Sequence, residues 1–510
     1  MMPVKDLGTA GFIADQAGYE LPPAAFTLVR NVRMYRGWAE RIGGHAQVFS
    51  STAVVPYYVQ AHSSATINYI VHAGLAAVYV DDGTTRTDIT GTVPTGAIAD
   101  RWTGGTFGGL LILNNSVDSP MYWDNNTANN LATLTGWTAG HKAKALRPFK
   151  NFILALNYTK AGVNYPHGVK WSDSADPGSL PASWDHTDPT NDAGESPALA
   201  ETPDVIVDGL PLGDMFVVYK ERSMYGMQLI GGNDIFRFFR LPGDSGMLAR
   251  GCAAATPMGH VVLTQGDVVL HNGQGPRSII DSRARRWLFS LLDPDNYARS
   301  FVVAHPQKQE VWVCFPSTGQ SVCNKALVWN WADDVVSTRD LPSVTYACFG
   351  VVNAAASTFA SVTGTFASIT GTFSDYAAYS VNDVRLFLAN SASMIFVADA
   401  GGGEAGVAFE ATIERTGLHF DMPDTIKLCR GVWPKIDGTT GTIAYVQIGA
   451  SMYPQVDPTW QTAQAFTIGT STKIDGFAAG RYLAYRITST STSPWRIRSL
   501  DFDITLQGKF

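Results

Sequence analysis

The sequence predicts an all-β protein: a β-propeller of about six to eight blades followed by a C-terminal β-sandwich-like module. Three observations predict it. Glycine (49) and proline (26) are abundant and only 16% of the 510 residues are charged, a profile of short strands joined by tight turns rather than of helical bundles. Runs rich in Val, Ile, Tyr and Phe recur between Gly/Asn/Asp/Pro clusters over several hundred residues. Hairpin follows hairpin along that length, as in propellers and large sandwiches, and the chain is too long for a single core.

The elements follow in order. Residues 1–25 are Gly/Pro/Ala-rich, contain LPPAA, and read as an extended arm ordered only by docking. FTLVRNVRMYRGWAERIGG predicts a strand, a turn at Arg36-Gly37 and a second strand. Arg30, Arg33 and Arg36 recur every third residue; on a strand Arg30 and Arg36 share one face and Arg33 takes the other. Salt bridges within the sheet or to a neighbouring subunit explain them better than anion binding. The propeller is expected over 26–400, in strands such as TINYIVHA, LAAVYVDD, GGLLILNN and KNFILALNY, at roughly 40–55 residues per blade. GHVVLTQGDVVLHNGQG, SFVVAHPQKQEVWVCFP and KALVWNWADDVVSTRDLP read as further hairpins. SRARRWLFSLLDPDN breaks the pattern: Trp287, Leu288, Leu291 and Leu292 share a helical face opposite Arg283 and Arg286, and Asp293-Pro294 ends the helix.

At 357–375, STFASVTGTFASITGTFSD repeats every seven residues with a coiled-coil-like spacing of Phe359, Val362, Phe366, Ile369 and Phe373. Its Gly, Thr and β-branched residues forfeit roughly 5 kcal/mol of helix propensity. It therefore reads as a β-rich insertion in the propeller. AGGGEAG (400–406) marks a boundary, and residues 401–510 form the sandwich-like module, with alternation in RYLAYRITS and RSLDFDITL.

A net charge of −7 argues against a protein that grips phosphate backbones. Cys252, Cys314, Cys323, Cys348 and Cys429 make an odd set without a CxxC pair and read as reduced, mostly buried thiols; a Cys314–Cys323 bridge across a hairpin is the less favoured reading. The N-terminus lacks signal-peptide character, and no apolar run approaches a membrane span, so a soluble protein made in a cytoplasm is expected.

No catalytic motif is present: there is no GxSxG, HExxH, P-loop or dinucleotide fingerprint, and the glycines of GTFGGLLIL precede a strand rather than a helix. No catalytic, cofactor-binding or metal-binding residue is assigned, and an enzyme is not expected. His260 and His271 bracket VVLTQGDVVL, where hairpin pairing brings them close, but zinc needs more ligands. Asp185, Asp188, Asp192 and Glu195 crowd DHTDPTNDAGE without the register of a calcium loop, and Asp makes turns on its own account. Asp173, Asp176 and Asp185 are the weaker candidates for a glycosidase-like pair. Trp171, Trp184, Trp312, Trp329 and Trp331 lie in or beside strands and are expected in the core rather than in a sugar-binding row.

In order and spacing, several stretches resemble one family. They are LPPAAFTLVRNVRMYRGWAERIGG, FKNFILALNY with YPHGVKWSDSADPGSLPASWD, PLGDMFVVYKERSMYGMQLIGG, RLPGDSGMLARGC, VVLTQGDVVLHNGQG, ALVWNWADDVVSTRDLP, and GRYLAYRITS with WRIRSLDFDI. Together the chain resembles the tail nozzle proteins of short-tailed bacteriophages, also called tubular protein B or packaged-DNA-stabilisation proteins. The resemblance implies a structural protein of the virion tail, made in the host cytoplasm. Copies, usually six as a homohexamer, would ring a channel through which genomic DNA leaves without sequence-specific binding and would help retain packaged DNA. The implied partners are further copies, a tail adaptor or head–tail connector protein above, and tail fibres or a tail-tip protein, without membrane insertion or cofactor. The rival reading is a receptor- or glycan-binding propeller with an exposed aromatic cluster at one mouth.

Overall fold

Strand pairing in the computed structural model, which describes residues 1–509 apart from 65–66, 197–198, 233 and 353–383, assembles a β-propeller and a two-sheet β-sandwich. Five four-stranded antiparallel sheets form blades one to five, starting at Tyr58–Ser63, Thr103–Phe107, Lys142–Phe149, Ile206–Leu212 and Ala253–Thr256. A seven-stranded sheet supplies two more blades through one long strand, Val335–Gly350. Its first half pairs with Cys323–Asn330 as the outer strand of blade six. Its second half pairs with Arg385–Asn390 as the inner strand of blade seven. Ser343, in the left-handed region at φ 50°, lies between the halves.

The first strands of successive blades adjoin one another around a ring, and the second half of Val335–Gly350 lies against Tyr58–Ser63. The outer strand of blade seven is His45–Gln47, antiparallel to Ile395–Ala398. An N-terminal strand thus closes a seven-bladed ring, within the expected range of blade number. The outer strands are short, which limits stray edge pairing. The Thr/Phe repeat at 357–375 lies outside the described residues.

One sandwich sheet runs Val32–Tyr35, Trp38–Arg41, Trp495–Lys509, Thr425–Gly438 and Ile474–Gly480, with Met2–Val4 also on Trp495–Lys509. The other runs Leu28–Arg30, Ala411–Leu418, Tyr482–Ser489 and Ile443–Ser451, which also carries Thr459–Trp460 and Gln464–Thr467. The expected arm (1–25) and propeller start (26) are therefore corrected: strands within residues 2–41 complete the C-terminal sandwich. Burial is the reason. Val4, Leu7, Phe12, Phe26, Val29, Val32 and Met34 sit in the core that the sandwich shares with the propeller, outweighing the local Gly/Pro content. Asn31, at φ 57°, lies where the chain leaves one sheet and enters the other. The Arg36–Gly37 turn forms as expected, with φ of 48° and 78°, matching a two-residue hairpin.

Other contacts tie the first 25 residues down. The buried Arg415 guanidinium donates to the carbonyls of Gly18, Leu21 and Pro22. The predicted helix forms over Arg285–Leu291, with Leu288 buried and Trp287, Leu291 and Leu292 against the core. The Asp15 carboxylate accepts its Arg286 and Trp287 amide N–H groups at 2.8 and 3.2 Å, a cap supplied from far away in sequence. Phe12 packs edge-on to Trp287 at 5.3 Å. A continuous core runs from the sandwich into blades four, five and six.

Candidate functional site

Around the propeller axis, the usual place for a ligand or a bore, side chains of the inner strands join neighbouring blades. Arg147 of blade three makes a bidentate pair with Asp208 of blade four, Nε to Oδ1 at 2.8 Å and Nη2 to Oδ2 at 2.6 Å, and Nη1 donates to the Gly104 carbonyl of blade two. Asp208 also accepts the Gly209 and Gly251 amides. Burial opposes the Arg147 charge but the Asp208 carboxylate outweighs it, so the pKa is raised; burial likewise pushes Asp208 up and Arg147 pulls it below the usual range. Tyr58 of blade one lies 5.0 Å from Tyr346 of blade seven, which lies 5.2 Å from Phe301 of blade six.

Two arginines brace the loops beside these contacts. Arg250, between blades four and five, donates to the carbonyls of Ala99, Arg101 and Lys144 on the far side. Arg101 donates to those of Ala298 and Ser300. Burial, with Arg101 nearby, lowers Arg250 to about 10. Gly251 is in the left-handed region at φ 78°, and a Cβ there would lie 3.1 Å from the Tyr346 hydroxyl. A strand-by-strand sequence reading carries no signal for these contacts, because every partner comes from another blade.

The second feature is the junction between sandwich and propeller. The chain crosses at 42–45 and returns at 399–410, and the two crossings are zipped together: Gly44 N–H to Gly401 O at 2.8 Å, His45 N–H to Gly403 O at 2.9 Å and Ala400 N–H to Gly44 O at 3.0 Å. A Cβ on Gly44 would stand 2.1 Å from the Gly403 oxygen, so the close approach demands glycine. The AGGGEAG boundary is therefore a strap as well as a linker.

Beside the strap lies a buried charge network. Arg33 donates through Nε and Nη2 to Glu310 of blade six and through Nη2, at 2.5 Å, to Asp399 after blade seven. Arg339 approaches Asp399 at 3.4 Å and stacks 3.8 Å over the Trp312 ring, whose Nε1 donates to Glu310 at 2.9 Å. Burial would raise Asp399, but Arg33 and Arg339 hold it well below the carboxylate range. Arg30, on the solvent side, pairs with Asp340 at 2.5 Å and Glu410 at 3.3 Å. The Arg36 amide donates to Asp333. The intramolecular salt-bridge reading holds for Arg30 and Arg33.

The remaining candidates resolve into packing and turns. His260 and His271 are direct cross-strand partners joined through the Tyr219 hydroxyl, at 2.7 and 2.5 Å. His260 Nε2 faces the Pro211 carbonyl at 2.8 Å and must donate, so Nδ1 accepts the Tyr219 proton and His271 Nε2–H donates to Tyr219. Burial first, then His260, lowers His271 to about 4. Among the described residues no three His, Cys, Asp or Glu side chains gather as a metal group. Asp185 and Asp188 each cap their own turn, through Thr187 and Thr190. Asp192 accepts the Ser174 hydroxyl, Asp173 accepts the Asp192 amide, and Glu195 pairs with Lys160 and Lys170. Asp176 sits in a turn whose Ser179 N–H donates to its carbonyl at 3.0 Å. Trp171, Trp184, Trp312 and Trp329 are buried, and Trp331 packs on the core. All five cysteines are free thiols, four of them buried.

No protein-family model matches the chain, and no curated protein sequence matches it. Among solved structures it is similar to Raptor from Chaetomium thermophilum, at 9% identity and TM-score 0.39, over 72% of this chain and 30% of that one. It is also similar to the WD40 β-propeller domain of Doa1, at 11% identity and TM-score 0.33, over 70% of this chain and 97% of that domain. The chain thus matches 30% of Raptor's own length. The propeller is defined by its own strand pairing.

Proposed function

We propose that this β-propeller protein is a structural component of a short-tailed phage tail: copies of it ring the DNA exit channel as the distal nozzle and help retain the packaged genome. The cross-blade contacts around the axis carry the reading. Tyr58, Arg147, Asp208 and Tyr346 join neighbouring blades there, and the sandwich shares a core with three blades, which supports each chain acting as a rigid block. A conduit made of such blocks runs between copies.

The surface chemistry supports the same use. On and beside the sandwich sheet that contains Trp495–Lys509, the exposed Arg430, Lys435, Arg496 and Arg498 and the partly exposed Lys473 each face an aspartate within 3.6 Å. Paired cations release few counterions from DNA, and a channel wall must not trap phosphates during ejection. The resemblance of the ordered sequence stretches to nozzle proteins supports the tail context. Immunogold labelling of phage particles carrying this chain tests the assignment: gold at the distal tail is expected, and gold confined to the capsid, or absent, overturns it. The receptor-binding alternative calls for an aromatic cluster at a propeller mouth; among the described residues, Tyr297 is the one exposed large aromatic on the propeller.

A further inference from the structure

We propose that the sandwich carries a carbohydrate-binding groove walled by Trp38 and Trp433. Five of the thirteen tryptophans are only partly buried: Trp38, Trp287, Trp331, Trp433 and Trp460. Trp287 and Trp331 pack on the core, whereas Trp38 and Trp433 both line one open groove of about 490 Å³. Tryptophan on the solvent face of a sheet contributes little to a core, and the groove is within the size range of small-ligand sites.

The polar lining sets the ligand class. Lys435 and Asp437 flank the groove with side chains 57% and 58% exposed, and Ser471 and Thr472 add hydroxyls. Lys435 is already neutralised by Asp501 at 3.6 Å, and Asp437 by Arg496 at 2.7 Å. Neither calls for a charged ligand, yet both retain free hydrogen-bonding capacity. A pyranose matches this set: its C–H face stacks on an indole, and its hydroxyls meet the ammonium, carboxylate and Ser/Thr groups. Phosphate-rich ligands are disfavoured because the cations here are compensated. Arg496 lies over Trp38 at 4.4 Å, with Arg498 at 5.8 Å, and Lys473 lies over Trp433 at 4.9 Å, so partly exposed cations fix the orientation of both rings. The inference stands independently of the nozzle reading.

The test titrates the full chain with maltotriose, cellotriose and chitotriose, read by tryptophan fluorescence and saturation-transfer NMR. Saturable binding of at least one trisaccharide is expected, weakened roughly tenfold or more in Trp433→Ala and unchanged in Trp460→Ala, which lies on the other sheet. Asp437→Asn keeps the side-chain shape and reports on the same groove if Trp433→Ala does not fold; it too should weaken binding. No saturation by roughly 10 mM with any probe overturns the inference. So does binding unaffected by the groove variants, or weakened equally by Trp460→Ala.

Discussion

Replacing Arg33 by methionine is the sharpest perturbation of the junction. Arg33 is 4% exposed and faces two buried carboxylates, on Glu310 and Asp399, which are themselves 2% and 7% exposed at the side chain, with the more exposed Glu40 at 4.0 Å. At about 3 Å and an effective dielectric near 20, each pair is worth roughly 5 kcal/mol before desolvation. In Arg33→Met, Glu310 keeps the Trp312 N–H and Asp399 keeps Arg339, leaving one cation for two buried carboxylates. Breaking a buried pair in this way costs about 3–5 kcal/mol, or roughly two to three and a half orders of magnitude in local opening. Hydrogen exchange of the Gly44, His45 and Ala400 amides, which zip the strap, reads that opening. The sign with pH is a second signature. In the native protein Asp399 is depressed, so its contribution is present above the ordinary carboxylate pKa and lost as pH falls through the folded value. Without Arg33, burial pushes Asp399 upward, and the deficit of the variant shrinks from pH 8 to 5. Arg33→Met/Glu310→Met, with Asp399 and Arg339 left as a balanced pair, recovers most of the loss. Exchange accelerated less than about tenfold, with no pH dependence, refutes the account of this network.

Two further outcomes follow from the same geometry. His271 stays neutral down to about 4 in the folded chain, whereas an unfolded histidine protonates near 6.5; the unfolded state binds the extra proton in that window, and stability falls by about 3 kcal/mol as pH drops from 6.5 to 4. His271→Gln keeps a donor for Tyr219 and should flatten that part of the thermal stability–pH curve; an unchanged slope contradicts the buried neutral ring. Gly44→Ala places a methyl against the Gly403 carbonyl and should cost more than about 3 kcal/mol in urea unfolding, while Gly140→Ala, in the left-handed region but with open space around it, should cost about 1 kcal/mol. Equal effects would mean that the strap is not closely packed.

The legible features were local. Alternation and turn chemistry within a dozen residues placed the His260–His271 hairpin, the Arg36–Gly37 turn and the 285–291 helix, and enough such hairpins imply a propeller. Long-range partners were not legible. Leu28–Arg30 pairs with Glu414–Thr412, and nothing near residue 28 encodes that choice; the arm-like composition of residues 1–25 hid a set of core side chains. Val335–Gly350 reads as an ordinary hairpin arm, although it serves two blades. The spacing of Arg30, Arg33 and Arg36 signalled ion pairing, but Glu310, Asp399 and Arg339 had no local mark. The contacts around the axis were hidden for the same reason: their residues converge only when the ring closes.

The central proposal is that each chain is a rigid block and that copies of it enclose a DNA path. Its most direct test is negative-stain electron microscopy and mass photometry of the purified chain, alone and mixed with the tail adaptor protein the proposal implies. The account predicts closed rings with a central bore between subunits. Monomers only in both conditions would contradict it.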